Sequence, residues 1–199
     1  MNTALLIVDV QNDFTPGGAL AVPAGDEVVP RLSQYIGLFH RAGMLVVATR
    51  DWHPELTKHF RSGGGLWPPH CVQGTPGAEF HPALRLPPDV LIMSKGMDPD
   101  EDAYSAFQAR TENGTPFAEL LKQRSVGRIL IGGLATDYCV LATVLDAVAA
   151  GLKVTLLADG IRGINLKPGD IERAVAQMVA AGADLSTLNR CPQPPTVER

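Results

Sequence analysis

The chain lacks any long apolar run. Stretches such as Leu5–Val8 and Ile129–Ile131 fall far short of the roughly 20 residues that cross a bilayer, and no basic patch precedes an apolar stretch at the N-terminus. Neither a membrane span nor a secretory leader is expected. Positive charge is not in surplus either: 17 Lys and Arg face 21 Asp and Glu, for a net charge of -4, and they are scattered. The clustered cations that grip a phosphate backbone are missing, which argues against nucleic acid as a partner. No GxGxxG or GxxxxGK[ST] follows the first apolar run, so the common nucleotide-binding loops are absent. Cysteine is scarce. Cys71, Cys139 and Cys191 form an odd set without a CxxC pair, which argues against a disulfide framework and for a reducing, cytoplasmic setting.

What is present suits one globular domain, since 199 residues with 45% apolar side chains can bury a single core. The whole of 1–199 is expected to be that domain, with a frayed tail at about 192–199, where three prolines precede a charged end. Short β-branched runs predict strands at Ala4–Asp9, Met44–Arg50, Val90–Ser94, Arg128–Gly132, Lys153–Ala158 and Leu185–Leu188. Helical spacing lies between them. Val28, Val29, Leu32, Tyr35, Ile36 and Phe39 share one face, with Asp26 as N-cap and Gly43 beyond the end. Further helices are expected from Thr115-Pro116 to Arg124, from Asp137 to Gly151, and from Pro168 or Gly169 onward. This alternation predicts an α/β fold, a Rossmann-like three-layer αβα sandwich around a mostly parallel six-stranded sheet. Only Trp52–Pro88 breaks the rhythm. It is rich in Gly and Pro, and it holds His53, His59, Trp67, His70 and Cys71, so a functional loop is expected.

Four reactive residues fall at strand ends: Asp9, Asp51, Lys95 and Cys139. Each alone reads as a solvated strand-end residue, but ligands of open α/β sheets bind outside the carboxyl ends of the strands, so the four should converge. Cys139 follows Gly132-Gly133-Leu134-Ala135-Thr136-Asp137-Tyr138, a small-residue turn opening a helix. There the helix dipole is expected to lower the thiol pKa, and free N–H groups can hold an oxyanion. A carboxylate beside the thiol can take its proton, with an ammonium stabilising both. Cys71 and Cys191 read as small packing residues, and His40 and His81 as surface or packing residues. Asp51-Trp52-His53 places an acid and an imidazole on one side of an extended segment, and His59 and His70 could complete a site for zinc, iron or manganese.

Taken together, these residues resemble the nicotinamidase/pyrazinamidase branch of the isochorismatase-like cysteine hydrolases. The resemblance runs from Asp9 to about Ala158. It rests on Leu6-Ile7-Val8-Asp9-Val10-Gln11-Asn12-Asp13-Phe14, Arg50-Asp51-Trp52-His53-Pro54, Trp67-Pro68-Pro69-His70-Cys71-Val72, Lys95-Gly96 with Asp102-Ala103-Tyr104-Ser105-Ala106-Phe107, and Gly132 through Val140. It implies Asp9, Lys95 and Cys139 as a catalytic triad. Asp51, His53 and His70 become ligands of one divalent metal ion, zinc foremost, with His59 matching a ligand seen in some members only. A cis peptide before Ala135 is implied, with the N–H groups of Ala135 and Cys139 as oxyanion hole. Phe14, Trp67, Tyr104, Leu134 and Ala135 would contact substrate. The implied activity is hydrolysis of nicotinamide, and of pyrazinamide, to the acid and ammonia, in a protein that often forms homo-oligomers. Some members carry histidine at the place of Tyr138. The rival readings are a hydrolase using metal-bound hydroxide with Cys139 as packing, a hydrolase of another small amide, and a non-catalytic ligand-binding relative.

Overall fold

Unbroken burial from Ala4 to Val8 marks a strand covered on both faces, and β1 (Asn2–Val8) indeed lies inside the sheet. It pairs in parallel with β2 (Leu45–Asp51) on one side and β4 (Val126–Leu134) on the other. β3 (Leu91–Lys95) extends the sheet beyond β2; β5 (Lys153–Arg162) and β6 (Asp184–Ser186) extend it beyond β4. The order is β3-β2-β1-β4-β5-β6, and every pairing is parallel. The computed structural model describes residues 1–190; Cys191 and the 192–199 tail lie outside the described residues.

Alternate residues of β1 serve opposite faces. Leu5 and Ile7 join Leu32, Tyr35 and Ile36 of α1 (Val28–Arg41) in one core. Ala4, Leu6 and Val8 join Phe117 of α2 (Phe117–Gln123), Val144 of α3 (Leu141–Ala149) and Met178 of α4 (Asp170–Ala181) in the other. The result is the expected three-layer α/β sandwich. Among the described residues, no helix is long and apolar enough to cross a membrane.

Local departures from expectation have local causes. β4 and β5 run further than their apolar runs because their ends are built from Gly132, Gly133 and Gly160, residues with little strand preference. Gly133 has φ +135°, and a Cβ there would meet the Val8 carbonyl oxygen at 2.0 Å, so only glycine lets β4 lie this close to β1. Asp26 does not cap α1; it sits inside a 3-10 turn, Gly25–Glu27, that feeds the helix. Thr115 does not cap α2 either. Pro116 takes that place, and the Thr115 N–H donates to Thr111 Oγ1 at 3.0 Å. The third helix is preceded by a π-helical turn, Thr136–Val140.

From β1 the chain moves outward to β2 and β3, then returns to the centre for β4 and moves the other way. The reversal lies between β1 and β4, which is where an open α/β sheet leaves a crevice. Residues 52–90, between β2 and β3, hold short 3-10 turns and isolated bridges, such as His53 to Val72 and Phe60 to Trp67, in place of helices or full strands. Fully buried Gln11 fastens this region to the sheet. Its Nε2 donates to the carbonyls of Asp51 and Ala78, both at 2.8 Å, and its Oε1 accepts the Asp51 N–H at 2.8 Å.

Replacing Gln11 leaves those three backbone groups buried without partners. Gln11→Leu, of similar volume, is expected to destabilise the fold by about 2–4 kcal/mol. Urea unfolding measures this, and a change below about 0.5 kcal/mol would contradict the assigned role.

Candidate active site

Asp9 follows β1 directly, with φ +48°, and its backbone N–H bonds the Thr49 carbonyl at 3.2 Å. Asp51 closes β2, Lys95 closes β3, and the two are register partners. Cys139 sits in the π turn after β4. The four strand ends therefore meet, as expected. Lys95 Nζ lies 2.9 Å from Asp9 Oδ2, in a short hydrogen bond with Asp51 Oδ1, 3.5 Å from Cys139 Sγ and 3.3 Å from the Ala103 carbonyl. A carboxylate oxygen from each of Asp9 and Asp51 and the Cys139 sulfur lie within 4.8 Å of one another. Thr49 Oγ1 donates to the other oxygen of Asp9 at 2.7 Å.

All of these groups are buried, which sets their charge states. Burial opposes the Lys95 ammonium, yet Asp51 and Asp9 outweigh it and raise its pKa well above the ordinary value. For Asp51, burial is overcome by Lys95, His53 and His70, and its carboxyl is held well below the usual range. Asp9 goes the other way: burial raises its pKa, Asp51 adds to the rise, and Lys95 and Thr49 offset it only in part. Burial likewise pushes the Cys139 thiol well above its ordinary value, against the pull of Lys95 and with Asp9 and Asp51 adding to the rise. The expected lowering by the helix dipole is thus overridden. In a dry site with two carboxylates nearby, a lone helix terminus is the weaker influence.

The imidazoles of His53, His59 and His70 form a second cluster against the first. His53 stacks on His59 at 4.6 Å, and His70 lies 5.1 and 5.4 Å from the two rings. Each Nδ1 faces an acceptor: the Gly96 carbonyl for His53 at 3.0 Å, Asp102 Oδ1 for His59 at 2.5 Å, and the Pro68 carbonyl for His70 at 2.8 Å. A carbonyl can only accept, so Nδ1 carries the proton in His53 and His70, and their Nε2 lone pairs are free. Gly96, at φ +69°, must be glycine here, because a Cβ would strike the His53 ring at 2.4 Å.

One nitrogen from each ring falls within 4.8 Å of the others, and Asp51 Oδ2 lies 3.8 Å from His53 Nε2 and 3.9 Å from His70 Nε2. His53 Nε2 is buried with no hydrogen-bond partner. Buried lone pairs converging on one point beside a carboxylate fit a divalent cation, and the second hydrogen bond on each ring is the usual support of a metal-ligating histidine. Burial lowers the pKa of His59, and takes that of His70 down to about 4, which keeps these rings neutral.

Between the clusters and solvent lies a slot with about 20 Å³ of free space, little more than a water molecule needs. It is lined by Phe14, Trp67, Tyr104, Ala135 and Tyr138 over Asp51, His59, His70 and Cys139. The indole of Trp67 donates to the Tyr104 hydroxyl at 3.0 Å and packs edge-on against Tyr138, centroids 4.9 Å apart. The Leu134–Ala135 peptide is cis, and the Ala135 carbonyl accepts from the N–H groups of Tyr138 and Val140, both at 3.1 Å. Leu134, expected at the substrate, is fully buried in the α1-side core, directly before Ala135 of the slot. Cys71 is buried packing; His40 is half exposed beside Asp89, and the His81 ring accepts from the Ala83 N–H.

Several contributors have no clear sequence signal. Leu20 and Ile164 line the slot from distant segments. Asp137 holds Ile164 there by accepting the N–H groups of Ile164 and Asn165 at 2.9 and 2.7 Å. Asp13 accepts the N–H of Cys71 at 2.7 Å and so fixes the chain next to His70.

The isochorismatase domain family matches residues 3–190. The nicotinamidase of Escherichia coli is 42% identical across 93% of this chain and 94% of its own length. The nicotinamidase/pyrazinamidase of Mycobacterium tuberculosis is 43% identical across 81% of this chain and 87% of its own. Among solved structures, the pyrazinamidase of Pyrococcus horikoshii in complex with zinc superposes with a TM-score of 0.87 at 49% identity, over 94% of this chain and all of that one.

The imidazole cluster also makes a pH prediction. With His70 at about 4 when folded and 6.5 ordinarily, the unfolded chain binds more protons between those values. Its contribution is fully present above about pH 6.5 and is lost as pH falls through about 4, amounting to roughly 3 kcal/mol. Asp9, with its raised pKa, slopes the other way, so the test is a difference. Urea unfolding of metal-free protein between pH 6.5 and 4 should show a shallower decline for His70→Gln than for the parent; equal slopes would contradict the assignment.

Proposed function

We infer that this chain, which belongs to the isochorismatase family, is a nicotinamidase: a cysteine amidohydrolase that converts nicotinamide to nicotinate and ammonia and also accepts pyrazinamide. The observation that carries the reading is a thiol and a carboxylate of raised pKa sharing one buried ammonium at the floor of an aromatic slot. The slot suits a flat ring, which enters when Trp67, Tyr104 or Tyr138 yields.

In this mechanism Asp9 takes the Sγ proton of Cys139 as sulfur attacks the amide carbon. The N–H groups of Ala135 and Cys139 hold the oxygen of the tetrahedral intermediate. Asp9 passes its proton to the amide nitrogen, the C–N bond breaks, and ammonia leaves a Cys139 thioester. Asp9 then deprotonates a water that attacks the thioester, and the proton returns to sulfur as nicotinate departs. Throughout, Lys95 keeps its proton and balances the charge passing between sulfur and carboxylate. Phe14 and Trp67 sandwich the ring. Asp51, His53, His59 and His70 would hold one divalent cation, zinc first by its donor set, with iron or manganese as alternatives; when bound it supplies a Lewis-acid anchor that orients the ring. We place the protein in the cytoplasm, where the free thiols of Cys71 and Cys139 stay reduced.

Cys139→Ala is expected to lower kcat for ammonia release from nicotinamide by roughly 10³-fold or more, in a fold unchanged by circular dichroism. Full activity of that variant would reject the thiol route. Stripping the protein with a chelator should abolish ammonia release, and adding back a divalent metal should restore it. Indifference to the chelator would remove the metal assignment while leaving the thiol route standing.

A further inference from the structure

The three imidazoles are not anchored alike. His53 and His70 are held by backbone carbonyls, whereas His59 is held by the side chain of Asp102, with Nδ1 and Oδ1 2.5 Å apart. The His59 ring is 3% exposed, and the Asp102 carboxylate is 63% exposed. Asp102 lies in the segment joining β3 to the rest of the chain, which follows the 57–67 stretch and bonds it repeatedly. The N–H of Lys58 and the hydroxyl of Thr57 donate to the Pro99 carbonyl at 2.8 and 3.2 Å, Lys58 pairs with Asp100 at 2.6 Å, and Trp67 reaches Tyr104. Gln108 holds Asp102 in place, donating to its carbonyl at 2.9 Å while accepting the Tyr104 N–H at 3.0 Å.

We infer that Asp102 is a positioning residue for the cation site: its carboxylate accepts the Nδ1 proton of His59 and turns the Nε2 lone pair toward His53 and His70. The inference rests on the metal reading of the imidazole cluster given above. A carboxylate on the far nitrogen fixes the tautomer and makes the ring a better donor, which a neutral carbonyl does less strongly. Because the carboxylate is largely exposed, its pairing contributes little to folding. Its removal therefore frees the ring without loosening the fold. The same segment presents Tyr104 to Trp67, so the cation ligand and the slot wall are carried by one piece of chain.

The test is zinc titration of chelator-stripped protein in competition with a chromophoric chelator, using the parent, Asp102→Ala, Asp102→Asn, His59→Ala and the His59→Ala/Asp102→Ala double variant. Asp102→Ala should weaken zinc binding about 10- to 100-fold. Asp102→Asn should lose less, since its amide oxygen still accepts the Nδ1 proton. The thermal midpoint of the zinc-free protein should not move, and Asp102→Ala should add nothing once His59 is gone. Parent-like affinity in Asp102→Ala, or an equal loss in the His59→Ala background, would overturn the inference while leaving the metal site intact. A lowered midpoint of the zinc-free variant would overturn it in favour of a structural role. A parent that binds no zinc would bring down the metal reading itself, and this inference with it.

Discussion

One buried ammonium holds the site together. Asp9 and Asp51 are almost wholly removed from water, and neither carboxylate could stay ionised there without a cation within reach. Lys95 serves both, because parallel pairing of β2 and β3 brings it level with Asp51 and the central position of β1 brings Asp9 alongside. The two acids receive unequal shares. Asp51 also faces two imidazoles and stays ionised, while Asp9 remains more basic than an ordinary carboxyl. Asp51 turns one oxygen to Lys95 and the other to His53 and His70, so the cluster around the Cys139 thiol and the imidazole cluster share a residue.

That inequality decides how the thiol can act. A cysteine set by a helix terminus alone would favour the thiolate; here burial favours the protonated sulfur. In the proposed reaction Asp9 suits the base's task because its own pKa is raised, which narrows the gap between donor and acceptor. Lys95 touches both sulfur and carboxylate, so a proton passing between them in the proposed reaction would move beside a fixed positive charge. The aromatic cover of Trp67, Tyr104 and Tyr138 keeps the dielectric low enough for these shifts to persist.

Much of this was legible in the sequence. An apolar run such as Leu5–Val8 suits a strand covered on both faces, and the rule placing ligands at the carboxyl ends of parallel strands brings Asp9, Asp51, Lys95 and Cys139 together. Helix starts were less legible, because Asp26 and Thr115 have the right chemistry for caps but adjoining turns claim their positions. Partners set by long-range packing left no periodic trace: Gln11 on Asp51, Thr49 on Asp9, Ile164 in the slot. The direction of the Cys139 shift was also out of reach, since a local view sees the helix terminus and misses the burial and the two carboxylates that outweigh it.

The central claim is that Lys95 compensates two buried carboxylates at once, and the stability of Lys95→Met at neutral pH, read by urea unfolding against the parent, tests it most directly. Loss of one partner of a buried ion pair should destabilise the fold by about 3–5 kcal/mol, with part of the loss regained on acidification as Asp9 and Asp51 take up protons. Parent-like stability at pH 7, without any such recovery, would contradict the account.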